Sequence, residues 1–162
     1  MPENFPPLDE LDLRLLTLLQ RDASRSNQAL AEAAGVSPAT ALRRVRRLEE
    51  AGVIERTVAV VAPQALGVGL SAVVEVTLDR QGAEHLDAFE ARAVAEAAVQ
   101  QCWRVSPGPD FVLVVHARDM PGYLALAQRL FTQDANVRNV KTYFAIKRGK
   151  FTTEVRGPGV PG

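Results

Sequence analysis
Apolar residues recur with a helical period along the first third of the chain and in strand-like runs along much of the rest. From Leu8 to Gln20, the residues Leu8, Leu11, Leu15, Leu18 and Leu19 share one side of a helical wheel, which predicts an amphipathic helix. Small polar residues over 21–27 (RDASRSN) break that pattern. A shorter helix over about Asn27–Ala34 turns Leu30 and Ala31 inward, and Gly35-Val36 supplies a turn. A third helix begins at Ser37, a good N-cap, with Pro38 at its first position and Gly52 just past its end. Within it Ala41, Val45 and Leu48 recur at i, i+4, i+7 and leave only a narrow apolar stripe. A short helix, a Gly-containing turn and a capped second helix make a helix-turn-helix. Ala31 is small where the helices cross, Gly35 tolerates positive φ, and Val36 fills the space between them.

Beyond Gly52 the period changes. Gly52–Arg56 and the following TVAVVAP read as a short strand leaving the first unit, and Pro63 with Gly67-Val68-Gly69 marks a linker. Ser71–Leu78 reads as a strand, Glu84–Ala98 as an Ala-rich helix with Leu86, Phe89 and Val94, and Val99–Ser106 as a strand. Pro107-Gly108-Pro109 is a turn into a second strand, Phe111–Ala117. Asp119 caps a helix reaching about Phe131, with Leu124, Ala127 and Leu130 inward, and Val137–Lys147 is a last long strand. Lys150–Val155 is a possible extra edge. The order βαββαβ is the ferredoxin-like split unit, an antiparallel sheet with two helices on one face. Its other face, expected to carry Val74, Val76, Val112 and Val114, needs a cover, and dimerisation through the sheet is the economical one.

The fold class is therefore α+β, a winged helix-turn-helix joined by a strand linker to a ferredoxin-like domain. Expected bounds are 1–56 for the first domain, 57–69 for the linker, 70–156 for the second domain and 157–162 for a disordered tail. The Pro-rich MPENFPP is a loose lead-in.

Charge sharpens this picture. Lysines plus arginines number 19, as do the acidic residues, so any nucleic-acid binding must come from a local patch. Such a patch exists: Arg43, Arg44, Arg46 and Arg47 fall within five residues of the third helix. On the wheel Ala39, Arg43, Arg46 and Glu50 point away from the apolar stripe, with Thr40 and Arg47 on a flank. Arginine forks onto guanine edges and onto phosphates, as a major-groove reading helix requires. Arg43, Arg47, Ala39 and Thr40 are assigned to base or groove contact, and Arg44 and Arg46 to phosphates. For Arg44 the alternative is an ion pair inside the domain, to Asp12 or Glu49. Ser37 and Pro38 can aim the helix N-terminus at a phosphate.

Little else carries chemistry. Cys102 is the single cysteine, which excludes an internal disulfide, and it reads as a packed thiol. No metal cluster, cofactor motif or catalytic constellation appears, and His85 and His116 read as surface or half-buried residues. With neither a leader pattern nor an 18-residue apolar run, the expected location is the cytoplasm, away from the membrane.

These residues carry a resemblance that covers nearly the whole chain. Leu8-Asp9, Asp12, Leu15, Leu19-Gln20, Asp22, Arg25, Leu30-Ala31, Gly35–Ser37, Arg44-Val45, Arg47–Glu49 and Gly52–Ile54 resemble the DNA-binding half of the Lrp/AsnC transcription regulators. The VEVTL strand, Val105-Ser106, Asp110-Phe111, Asp119-Met120, Tyr123 and Val140–Tyr143 are similar to that family's ligand-responsive domain. The resemblance implies a non-enzymatic regulator that binds promoter DNA as a homodimer, assembling further to a tetramer or octamer. It also implies a small effector, commonly an amino acid. The implied effector residues are Ser106, Gly108, Asp110, Tyr123, Thr142 and Phe144, with Trp103 near the same turn. For Trp103 and Phe144 the alternative is ordinary sheet packing.

One departure stands out. The family's effector turn runs Val-Thr/Ser-Gly-Asp-aromatic-Asp, whereas this chain has Val105-Ser106-Pro107-Gly108-Pro109-Asp110. Two prolines remove two backbone donors there. The competing class is an enzyme on the same scaffold, of the kind that binds a tetrapyrrole and removes its carboxylates, with His116 and Arg118 offered for the role. A third possibility is a partner that tunes a paralogue's assembly.

Overall fold
The protein is described from a computed structural model that places residues 5–157. The expectations for residues 1–4 of the lead-in and for residues 158–162 of the tail lie outside them. The chain divides into two compact units, one of residues up to Val60 together with those from Lys150 onward, the other Val61–Gly149.

In the first unit, α1 (Glu10–Arg21) follows its N-cap Asp9, which exchanges capping hydrogen bonds with Asp12. Helix α2 (Asn27–Ala34) is capped by Ser26, and α3 (Pro38–Glu50) by Ser37 with Pro38 in the first turn. Gly35 closes α2 at φ 72°, where its N–H reaches the carbonyls of Ala31 and Glu32. A side chain there would be strained, so the turn between α2 and α3 depends on glycine. The three helices share a core of Leu15, Leu30, Ala31, Ala34 and Ala41. Each leucine sunk there contributes about 1.5–3 kcal/mol of transfer free energy. Leu8 falls before the cap and stays partly in water, and Asp12 takes the buried place one residue past Leu11.

Two stretches depart from expectation. Residues 55–62 form no strand, and Val58, Val60 and Val61 are exposed; a strand needs a neighbour to bond, and no other described segment pairs with it. Lys150–Val155 adds no sheet edge either. Instead Gln20 donates its side-chain amide to the Val155 carbonyl (2.9 Å) and accepts from the Val155 N–H (2.7 Å). Glu154 pairs with Arg21, and Gly157 lies close against Leu13. These contacts group the stretch from Lys150 with the first compact unit.

The second unit opens with a 3-10 turn, Pro63–Leu66, and then runs β1 (Leu70–Leu78), α4 (Ala83–Ala95), β2 (Val99–Arg104), β3 (Phe111–Ala117), α5 (Met120–Ala127) and β4 (Val137–Phe144). The sheet order is β2-β3-β1-β4, antiparallel throughout, as the split βαββαβ requires. Ala72, Val74, Val76 and Leu78 of β1 and Phe111, Leu113, Val115 and Ala117 of β3 alternate inward under α4 and α5. Phe89, Ala93, Tyr123, Leu126, Leu130 and Phe131 close this core from the helices. Val94 and Leu124 face solvent, one residue and hence about 100° round from Ala93 and Tyr123. Past Ala127 the chain continues through a π turn, Gln128–Thr132.

The assignment of the open sheet face therefore needs correcting. Val74 and Val76 lie under the helices, because even-numbered residues of β1 point inward. The open face carries instead the rows Trp103–Val112–Glu75–Lys141 and Gln101–Val114–Val73–Tyr143. Val112 and Val114 are there as expected.

Candidate nucleic-acid interface and effector site
Helix α3 buries Ala41 and Leu48 and half-buries Val45, so the expected stripe is its inner side. Asn27 ties the first turn down by donating its side-chain amide to the Pro38 carbonyl (2.9 Å). Ser37 Oγ accepts from the Thr40 N–H (3.2 Å) and lies 2.9 Å from Thr40 Oγ1. Ser37, Pro38, Ala39, Arg43 and Arg46 are exposed, and Thr40 is half-buried. Leu42 sits among them with 41 % of its surface exposed. Sequence reasoning passed over it, although its place three residues after Ala39 and four before Arg46 puts it on the same face.

The other two arginines reach back to the start of α1. Arg44 Nη1 donates to Asp9 Oδ2 (2.5 Å) and to Asp12 Oδ1 (3.1 Å), and Arg47 Nη2 donates to Asp12 Oδ2. Asp12 is fully buried. The alternative considered for Arg44, an ion pair with Asp12, is the arrangement adopted, joined by Asp9. Arg47, expected in the groove, shares that fate because it lies one turn beyond Arg44 on the same side. Asp9's carboxyl is held below the ordinary range by the Asp12 N–H and then by Arg44, and Arg44 is raised in turn by Asp9. Arg43 and Arg46 make no ion pair among the described residues. Arg43 and Arg46 are thus the arginines of α3 with no carboxylate partner among the described residues, while Arg47, paired with Asp12, still lines the outer concavity beside them with 42 % of its side chain exposed.

The residues implied for an effector fall into two groups. Tyr123, buried on α5, brings its hydroxyl to 2.5 Å from Thr142 Oγ1, and its ring meets Phe144 edge-on at 5.1 Å. Ser106, Gly108 and Asp110 belong to the β2–β3 loop, where Ser106–Pro107 is cis and Gly108 has φ 123°. Asp110 is occupied structurally: its N–H donates to the Val76 carbonyl, and its carboxylate accepts from the Leu78 N–H (2.7 Å) and more weakly from Gln81. Thr142 pairs with Val74 and Phe144 with Ala72, whereas Phe111, the residue after Asp110, pairs with Val76. At a rise of about 3.4 Å per residue, the two groups stand roughly 10–17 Å apart along β1. One protomer does not gather all six into one pocket.

Trp103 lies on the open sheet face, its Nε1 donating to Gln101 Oε1 (3.1 Å). His116 is on that face too, opposite Ser71, and burial followed by Arg148 holds its pKa below the usual histidine value. Cys102 is a half-buried free thiol whose pKa is pushed up by burial. No metal-ligating cluster occurs among the described residues, and no described helix is long and apolar enough to cross a membrane.

Comparison with known proteins gives this geometry its family. Residues 8–55 match a winged helix-turn-helix DNA-binding family, and residues 71–155 match the Lrp/AsnC ligand binding domain. The chain belongs to the Lrp/AsnC family. It is 37 % identical over 148 residues to a leucine-responsive regulatory protein of Rhizobium meliloti, covering 91 % of this chain and 95 % of that one. Against the DNA-binding transcriptional activator DecR of Escherichia coli the identity is 32 %, with 91 % and 97 % covered. A transcriptional regulator from Neisseria meningitidis, solved as an L-Met complex, superposes with TM-score 0.86 at 26 % identity, covering 92 % of this chain and 96 % of that one. As an Lrp/AsnC protein the chain is a DNA-binding transcription regulator with a small-molecule-binding domain, and the enzymatic alternative falls away: this is a family of regulators.

Proposed function
We propose that the chain recognises promoter DNA through the outer face of α3, acts in the cytoplasm as a homodimer or a larger assembly of dimers, and responds to an amino acid. The DNA-facing set is Ser37, Pro38, Ala39, Thr40, Arg43 and Arg46, with Leu42 available to a thymine methyl. The observation that carries this reading is the pair Arg43 and Arg46, exposed on a capped helix and engaged by no carboxylate among the described residues. A two-fold dimer presents two such helices about 34 Å apart, or a multiple of it, which calls for a partly palindromic site.

The open face supports self-association. Val73, Trp103, Val112, Val114 and Tyr143 stand on one side of the sheet with no helix over them. The unpaired stretch 55–62 offers a second pairing edge, with residues 57–69 as the linker. Tyr123, Thr142 and Phe144 supply a hydroxyl pair and an aromatic wall for a small ligand, and the L-Met complex of the Neisseria relative makes an amino acid the first class to try. Ser106, Gly108 and Asp110 join them only across a junction between copies.

The test is selection of binding sites from a randomised duplex pool, followed by gel shifts with and without each of the twenty amino acids. An enriched, partly palindromic motif whose affinity falls with salt is expected, along with one amino-acid class that shifts it. A pool that shows no enrichment overturns the DNA reading. Binding indifferent to every amino acid overturns the effector assignment.

A further inference from the structure
We infer that Asp12 is a positioning residue for DNA recognition, an internal carboxylate that holds Arg44 and Arg47 where a phosphate would otherwise hold them. The inference rests on the proposed role of α3 and adds a rule for which of its arginines the duplex meets.

Asp12 is the one polar or charged residue fully buried among the described residues. An isolated carboxylate there would be costly, so its partners define why it is tolerated. Its two oxygens take the two arginines separately, Oδ1 from Arg44 and Oδ2 from Arg47, and Oδ2 also accepts the Asp9 N–H (3.1 Å). Asp9 returns a bond to the Asp12 N–H (2.9 Å) and a second carboxylate to Arg44. Two carboxylates at the start of α1 therefore balance two guanidinium groups of α3.

Both side chains are drawn in at the Nε atom, which is buried in Arg44 and in Arg47, while the Arg47 side chain keeps 42 % of its surface exposed. Planar guanidinium forks hold direction where a lysine would not. Because Arg44 and Arg47 are one turn apart, the clamp fixes the rotation of α3 about its own axis. Arg43, about 100° round the helix from Arg44, and Arg46, about 100° from Arg47, are thereby left without a carboxylate.

The consequence is separable from stability. A clamped arginine releases no counterion from DNA, whereas a free one that finds a phosphate does. In the wild type, Arg43 and Arg46 set the salt dependence, and Arg44 and Arg47 do not. Loss of the Asp12 charge frees Arg47 for indiscriminate phosphate contact, while Arg44 keeps Asp9, and loosens the helix's rotation at once. Affinity for arbitrary sequence then rises as discrimination falls.

The experiment measures log K against log salt for the full chain on its selected duplex and on a scrambled duplex of equal length. For Asp12→Asn we expect a slope steeper by up to about 0.9 per arginine released, tighter binding to scrambled DNA and a smaller ratio of selected to scrambled affinity. Adding Arg47→Ala to Asp12→Asn returns the slope towards the wild type. Arg47→Ala alone leaves the slope unchanged, and Arg43→Ala flattens it by about 0.9 for each phosphate no longer neutralised. This last pair decides the matter even where Asp12→Asn does not fold. An Arg47→Ala slope flattened as much as that of Arg43→Ala overturns the inference, as does a folded Asp12→Asn with the wild-type slope and ratio. Wild-type protein that binds no duplex removes the DNA reading itself, a result distinct from either.

Discussion
Replacing Trp103 with alanine tests what covers the open sheet face. The indole stands on β2 with 59 % of its surface exposed, in a row with Val112, Glu75 and Lys141. An aromatic side chain buries on the order of 150–250 Å² when enclosed, so about 90–150 Å² of Trp103 remains to be covered. At about 25 cal/mol per Å² this is about 2–4 kcal/mol for each copy. A two-fold interface uses the same patch twice, which gives about 4–7 kcal/mol per dimer. Truncation should therefore weaken dimerisation by about 10³–10⁵-fold, an upper figure because ordering costs accompany any association. Sedimentation equilibrium over a wide concentration range measures it, with thermal unfolding to confirm that the monomer stays folded. An unchanged dissociation constant would refute the sheet-face interface and leave the exposed valines of residues 55–62 as the place to look.

Arg43→Ala should weaken binding to the selected duplex by about 1–3 kcal/mol and relax preference at one base position, read by gel shift on single-base variants. Ser37→Ala removes the acceptor of the Thr40 N–H and should cost about 0.5–2 kcal/mol of stability in denaturant unfolding. Tyr123→Phe breaks the contact with Thr142 Oγ1 and should change the affinity or selectivity for the effector while leaving DNA binding without effector intact, measured by calorimetry. His116 has a lowered pKa in the folded chain, so the unfolded chain binds its proton first as pH falls through about 6.5. Stability should therefore drop from pH 7 towards pH 5, and His116→Gln should flatten that part of the profile in thermal melts.

The elements were legible because their signals are local. Ser37-Pro38 and Gly35 mark helix ends through capping and φ, and the apolar run Phe111–Ala117 is bounded by the Pro107–Pro109 turn and the Asp119 cap. What one helix's wheel cannot show is a partner on another helix. Arg47 looks outward until Asp12 is known to be buried beside it, and the hint was a carboxylate next to Leu11 on an apolar face. Strand phase failed on β1 for a related reason. SAVVEVTL is apolar at neighbouring positions, and only the packing of α4 and α5 decides that Val74 and Val76 face in while Val73 faces out. Tyr123, Thr142 and Phe144 are neighbours in the fold, whereas Asp110's bond to the Leu78 N–H gives it a structural task that no spacing reveals.

The pairing of Gln20 with Val155 has a consequence for how the chain is made. The two residues are 135 positions apart, so the helix that emerges early from the ribosome waits for nearly the whole chain before that contact can close. At about 5–20 residues per second the wait is about 7–27 s. Until then α1 lacks the Glu154 and Val155 partners that cover its last turn, and a fragment ending at residue 60 never acquires them. The helix-turn-helix unit is thus completed last although it is translated first, and a half-synthesised chain carries its reading helix on an unfinished support.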